Sequence, residues 1–283
     1  MTLRLFAEHY RFKLMLSQSK HECRLIMNDN LIKQAAHALH DASMITIFTG
    51  AGVSKESGVP TFRDAMEGLW AKYDPQELAT PQAFKGNPKL VWDWYEWRRE
   101  LVGGVAPNAG HYALAKLHTF KEQVHVITQN VDDLHEQSGS KNIVHLHGNI
   151  ATHKCFDNCK GIPTLIDINT LDYDKDAGPP LCPHCGAYVR PNVVWFGERL
   201  PADALQKAQL YSQQCDVMIV VGTSGMVSPA AELPRLAKKN GATIIEVNPD
   251  YSMITRFADI KLDAPSGVAM PKVIDILEEL NAD

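Results

Sequence analysis

Four of the six cysteines fall into two short-spaced pairs, Cys155-x3-Cys159 and Cys182-x2-Cys185, while Cys23 and Cys215 stand apart. Each pair can present two thiolates from one turn, and together they supply a tetrahedral all-cysteine zinc site. Four thiolates leave no open coordination position, so such a metal is structural rather than catalytic. His153 and His184 lie nearby as stand-ins, but four cysteines suffice without them. The bland alternative is four unligated thiols. In an intracellular α/β chain, clustered pairs point to metal before disulfide.

Three further clusters carry groups suited to ligand binding or proton transfer. Gly50-Ala51-Gly52-Val53-Ser54 allows a tight turn and close approach to a pyrophosphate. The strict dinucleotide fingerprint needs a third glycine at 55, where the chain has Lys55, so a plain tight turn competes. The continuation through Gly58, Pro60 and Arg63 suggests a second, flexible loop that covers a cofactor. Gln129-Asn130-Val131-Asp132 follows an apolar run, at the kind of strand end where open α/β sheets bind ligands. Helix capping by Asn130 or Asp132 explains one of these polar residues more easily than three. In His145-Leu146-His147-Gly148, imidazole suits proton transfer near neutral pH, although a lone histidine is more often structural. Strand alternation turns both rings to one face, so spacing does not choose between them. His147, beside Gly148 and nearer the strand end, is the better candidate base. Gly222-Thr223-Ser224 and Asn248 also fall at strand ends, where ribose and adenine contacts are expected.

These groups need strands that end together. Met44–Phe48, Val124–Thr128, Asn142–Leu146, Val217–Val221 and Thr243–Val247 are strand-like, the last two near-continuously apolar as buried parallel strands are. Helical segments alternate with them: Leu31–His40, Pro88–Leu101, Ala109–Phe120, Ala202–Gln213, Ala230–Asn240 and Pro271–Leu280. Pro229 and Pro271 suit the first turns of the helices that follow them. From about Ala151 to Pro191 the alternation stops and Cys, Asp, Gly and Pro dominate, a stretch needing a metal staple. Structural zinc contributes about 10–16 kcal/mol to small modules, more than so sparse a core could. The expected fold is α/β: a Rossmann-like parallel sheet with helices on both faces and an inserted small zinc-binding module. The expected organisation is an extension over 1–30, a first Rossmann-like part over 31–150, the module over 151–191 and a second part over 192–283.

The chain has 283 residues, 45% hydrophobic and 22% charged, with net charge −5 and no Lys/Arg run, so nothing points to nucleic acid. No stretch has the ~18 apolar residues of a membrane span. Residues 1–30 are mildly basic but poor in serine and lack a small-residue cleavage site, so the expected compartment is the cytoplasm and Met27 is an alternative start.

Taken together, these motifs resemble the sirtuin family over about residues 31 to 280. Gly50 to Ser54 with Gly58 to Arg63 is similar to the family's first signature, with Thr61 where many members have Asp. Gln129 to Asp132, His145 to Gly148, the cysteine pairs, Gly222 to Ser224 and Asn248 follow in family order. So does Val193-Val194-Trp195-Phe196-Gly197-Glu198, which in sirtuins pairs with a substrate peptide by strand addition. The resemblance implies an NAD-dependent protein-lysine deacylase whose partners are acylated-lysine proteins. It implies NAD contacts from Gly50, Ala51, Gly52, Thr61, Phe62, Arg63, Gln129, Asn130, Asp132, Gly222, Thr223, Ser224, Asn248 and Ser266. His147 and Asn130 are the implied catalytic pair: His147 as general base on a ribose hydroxyl, Asn130 orienting ribose and water. Peptide contacts fall to Val194, Phe196, Gly197 and Glu198. The implied products are nicotinamide, free lysine and O-acyl-ADP-ribose.

Tyr95 and Arg98 are three apart on one helix face. By the same resemblance, this pair marks the class III branch, in which it reads a carboxylate on the acyl chain while Ala79 leaves room. Arginine's fork suits a carboxylate, and tyrosine adds a hydrogen bond. The plain alternative is an amphipathic aromatic helix with Arg98 in solvent. Competing functions are an NAD glycohydrolase or ADP-ribosyltransferase, opposed by the intact Val193–Glu198 segment, and a non-catalytic NAD sensor, opposed by His147 and Asn130 together.

Overall fold

The structure, a computed structural model, describes residues 29–60 and 73–282. Six strands form one parallel sheet: β1 (Met44–Thr49), β2 (Gln123–Thr128), β3 (Ile143–His145), β6 (Val217–Val221), β7 (Thr243–Val247) and β8 (Ile260–Leu262). Their order is β3-β2-β1-β6-β7-β8. In sheet-strand terms this is 3-2-1-4-5-6, the doubly wound Rossmann order, with its reversal between β1 and β6. A separate antiparallel pair, β4 (Gly148–Cys155) and β5 (Val189–Val193), brackets the cysteine-rich stretch.

Alternation along each central strand explains why both sheet faces are dry. Ile45, Ile47, Val217, Ile219, Val221, Ile245 and Val247 point into one apolar cluster. That cluster also holds side chains of α1 (29–41), α6 (Ala109–Phe120) and α10 (Ser266–Ala282). Phe48, Met218, Val220 and Ile244 point the other way, onto α8 (Ala202–Gln214) and α9 (Leu233–Lys239). The short helices α2 (Gly52–Lys55) and α7 (Leu134–Gln137) follow β1 and β2 directly or within a few residues.

Helices α3 (Pro75–Leu78), α4 (Pro81–Gly86) and α5 (Pro88–Gly103) depart from the expected sheet-covering arrangement. Thr80 and Asn87 accept backbone N–H groups at the starts of α4 and α5, each followed by proline at the first helical position. Trp94 and Tyr95 of α5 then pack with Leu78, Ala79, Phe84, Ile150, Val193 and Trp195, and Trp92 packs with Cys155, Ile166, Cys182 and Val189. Large aromatic faces on α5 thus bind it to the β4–β5 pair rather than to the sheet. The cysteine-rich stretch borrows Trp92 for its small core.

Proline placement differs from expectation at one site. Pro229 does precede a 3-10 turn, Ala230–Glu232, that runs into α9. Pro271 instead lies inside α10, because that helix starts at Ser266. Its missing N–H leaves the carbonyl one turn earlier without its helical partner. No helix among the described residues is long and apolar enough to cross a membrane.

Candidate active site

The strand-order reversal brings the glycine turn after β1 against the turn after β6. Gly50 donates its N–H to the Val221 carbonyl at 3.0 Å, and Gly52 to the Gly222 carbonyl at 2.8 Å. A Cβ on Gly52 would sit 2.7 Å from the Gly222 Cα, and Gly222 itself has φ of +58°. The two turns can approach this closely only as glycines. A plain structural need therefore accompanies any phosphate role. A crevice at such a reversal is where doubly wound sheets take dinucleotides, so the residues present fit NAD.

The polar side chains of these motifs form several hydrogen-bonded groups. Asn130 donates its amide Nδ2–H to Ser54 Oγ at 3.0 Å, and Ser54 donates to Asp132 Oδ2 at 3.0 Å. Asp132 also accepts the Leu134 N–H at 3.3 Å, so it serves the start of α7 as well as the crevice. Burial raises the Asp132 carboxyl pKa, opposed by the Ser54 hydrogen bond. Gln129 donates its side-chain N–H to Thr223 Oγ1 at 3.0 Å and to the Thr49 carbonyl at 3.3 Å, tying β1, β2 and β6 together. Asn248 donates to the Thr223 carbonyl at 3.1 Å and accepts the Asp250 N–H at 3.2 Å. Ser266 sits at the start of α10 with its hydroxyl on Glu56 at 3.3 Å, and the Gly267 N–H meets the same carboxylate oxygen at 2.8 Å. Ala51 flanks α2, and Ser224 accepts the Met253 N–H on its carbonyl. Thr61, Phe62 and Arg63 lie outside the described residues.

The two histidines that spacing left equivalent differ in their partners. His147 Nδ1 lies 2.9 Å from the Gln129 carbonyl oxygen, which can only accept, so Nδ1 carries the proton and Nε2 keeps its lone pair. Burial holds the His147 pKa below the usual histidine value, partly offset by that hydrogen bond. His145 places Nε2 2.6 Å from Glu136. Burial opposes its charge, yet the Glu136 hydrogen bond and carboxylate prevail and raise its pKa.

Where α5 packs on the β4–β5 pair, Trp195 donates its indole N–H to Tyr95 Oη at 2.9 Å, and burial pushes the phenol up to about 12. Arg98, half-buried on the same helix face, has its guanidinium 5.2 Å from the centre of the Trp94 ring. Burial lowers its pKa, while Tyr95 and Asp132 favour its charge. Ala79 is buried beside Tyr95 and accepts the Phe196 N–H at 2.9 Å; Val194 donates to the His147 carbonyl at 2.8 Å. Gly197, with φ of +85°, turns the chain toward Glu198. Glu198, expected at the substrate, spends both carboxylate oxygens within the chain. They accept from Arg190 at 2.6 and 3.0 Å and from the Trp195 N–H at 2.8 Å. Arg190 is itself buried, with its guanidinium stacked 3.2 Å over the Trp195 ring.

The four cysteine sulfurs all lie within 4.8 Å of one another, with 3.5 Å between Cys155 and Cys185 and 3.8 Å between Cys159 and Cys182. A tetrahedron with zinc–sulfur bonds of about 2.3 Å has edges of about 3.8 Å. The cluster fits a structural zinc, and the histidine stand-ins are not part of it.

The Sir2 family model matches residues 50–229, from the glycine turn past the Gly222 turn. The chain belongs to the Sir2 family. An NAD-dependent protein deacylase of Ralstonia nicotianae is 48% identical over 241 residues, covering 85% of this chain and 95% of that protein. A Sir2 homolog solved as its NAD complex superposes with a TM-score of 0.80 at 42% identity, covering 90% of this chain and 95% of that one. A Sir2 protein bound to a myristoylated histone peptide gives 0.71 at 34%, covering 90% and 99%.

Within this Sir2 chain, several contributors escaped the sequence. Ser54 joins Asn130 to Asp132, and Trp195 holds the Tyr95 hydroxyl. Thr49 and Thr128, the last residues of β1 and β2, are register partners whose hydroxyls meet at 2.9 Å. The matched threonines ending two strands before polar motifs were the available signal.

Proposed function

We propose that this chain is an NAD-dependent protein-lysine deacylase that removes acetyl and also succinyl or malonyl groups. The products are nicotinamide, free lysine and O-acyl-ADP-ribose. The observation that carries the reading is the Nε2 lone pair of His147, set by the Gln129 carbonyl, with the Asn130–Ser54–Asp132 group beginning at the very next residue. Membership of a family whose relatives are named NAD-dependent protein deacylases supports the class of reaction.

When bound, NAD supplies an electrophilic ribose carbon and nicotinamide as leaving group. The chain's own residues do the rest. Asn130 and Gln129 hold ribose hydroxyls and water in position. His147 Nε2 takes a proton from a ribose hydroxyl. Asp132, with Ser54 fixing one oxygen, holds the carboxamide. Val194, Phe196 and Gly197 line the peptide, while Glu198 holds their loop through Arg190. Zinc at Cys155, Cys159, Cys182 and Cys185 supplies fold stability. Arg98 and Tyr95 read the distal carboxylate of an acidic acyl chain, with Ala79 leaving room, the feature of the class III branch.

Purified protein incubated with NAD and matched acetyl-lysine and succinyl-lysine peptides tests this. Peptide deacylated and nicotinamide released should agree one to one for both peptides. Nicotinamide release without peptide turnover would instead mark a glycohydrolase.

A further inference from the structure

Behind the crevice, His135 of α7 is buried to 1% exposure with its Nε2 3.0 Å from Thr49 Oγ1. Thr49 donates to Thr128 Oγ1 at 2.9 Å, and Thr128 Oγ1 accepts the backbone N–H of Asn130 at 3.0 Å. A hydroxyl has one proton to give. With the Thr49 proton on Thr128, the Nε2 of His135 is the donor and its Nδ1 the lone pair.

A second histidine packs against this ring. His111, fully buried, accepts the Asn108 N–H on Nδ1 at 3.3 Å, so its own proton is on Nε2. The two rings meet edge to face at 5.1 Å. His111 Nε2 and His135 Nδ1 are both buried without a protein partner. Burial keeps both rings neutral, His135 at about 3 and His111 at about 4. The donors then run one way, from His135 through Thr49 to Thr128. Such a chain polarises its own members. Asn108 also donates its side-chain amide to the Val53 carbonyl at 2.8 Å and to Ser57 Oγ at 3.0 Å, on the segment following the glycine turn.

We propose that His135, as its Nε2–H tautomer, is a positioning residue that acts through Thr49 and Thr128 to set the backbone of Asn130 for the ribose. It touches neither substrate nor cofactor. The inference rests on the proposed role of Asn130 in deacylation. It states something the motif alone does not: the geometry of Asn130 depends on a buried neutral histidine five residues later.

Two measurements on the full chain test it. In protein with 15N-labelled histidine, the His135 resonances should report an Nε2-protonated, non-titrating ring between about pH 5 and 8. An Nδ1-protonated or titrating ring overturns the proposal, and this holds even if variants fold poorly. In kinetics, His135→Leu and Thr49→Val should each lower kcat for deacylation about tenfold or more, because small misplacements of positioning groups are costly. NAD affinity should stay within about threefold, since cofactor contacts remain. His135→Gln, whose amide N–H can reach Thr49, should recover most of the loss. The double variant should be no worse than the poorer single, as for members of one chain. Losses that multiply, or a His135→Gln no better than His135→Leu, overturn it. If Asn130→Ala itself deacylates normally, the reading of Asn130 has failed, and the tautomer result stands apart from it.

Discussion

His147 directs Nδ1 at the Gln129 carbonyl oxygen, 2.9 Å away, so the residue that opens one motif sets the tautomer of the histidine in another. A base must be deprotonated, and burial holds this imidazole below the usual value of about 6.5. With His147 as the proposed base, activity should be lost as pH falls through a pKa lower than that of an ordinary histidine. The acid limb of kcat/KM, which reports the free enzyme, should lie below about pH 6.5. A limb above that value would show that another group controls the profile.

Metal analysis should find about one zinc per chain. Cys182→Ser should lower bound zinc and the unfolding midpoint together, because three thiolates leave the tetrahedron incomplete. Protein without zinc that keeps full stability would remove the metal from the account.

Glu198→Ala should destabilise the fold by about 3 kcal/mol, the low end for stranding a buried partner, here Arg190. The carboxylate is a quarter exposed in its side chain, which favours the low end. Burial alone would raise its pKa, but the Arg190 hydrogen bonds and charge outweigh that and depress it. The stabilisation it brings is thus present above the unfolded glutamate pKa of about 4.3 and lost as pH falls through the lower folded value. Urea titrations of both proteins at neutral pH measure the difference, and equal midpoints would mean the pair contributes nothing.

Arg98→Met should cut kcat/KM on a succinyl-lysine peptide about tenfold or more, since a charge-assisted hydrogen bond is worth roughly 1.5–3 kcal/mol. The matched acetyl peptide has no carboxylate and should be turned over nearly as before. Equal losses on both would make Arg98 a structural residue and reduce the activity to plain deacetylation.

The central strands were legible because both sheet faces are buried, which writes them as apolar runs such as Val217–Val221 and Thr243–Val247. β8 was not, since three residues with Lys261 in the middle carry no pattern. β5 hid behind Pro191, which argues against a strand, and its partner lies across the whole cysteine-rich stretch. α5 was found as a helix, but nothing in its periodicity says which surface its tryptophans meet. The site residues were legible as types at strand ends. Their partners were not: the place beside Gly148 already favoured His147, but the different partners of His147 and His145, Gln129 and Glu136, come together only in space, as does Arg190 with Glu198.

The most direct test compares the wild-type protein with His147→Ala and His145→Ala on one acylated peptide, measuring NAD binding and deacylation separately. His147→Ala should bind NAD with little change and not deacylate, while His145→Ala should keep the reaction and lose mainly stability. Deacylation that survives in His147→Ala and vanishes in His145→Ala would contradict this assignment.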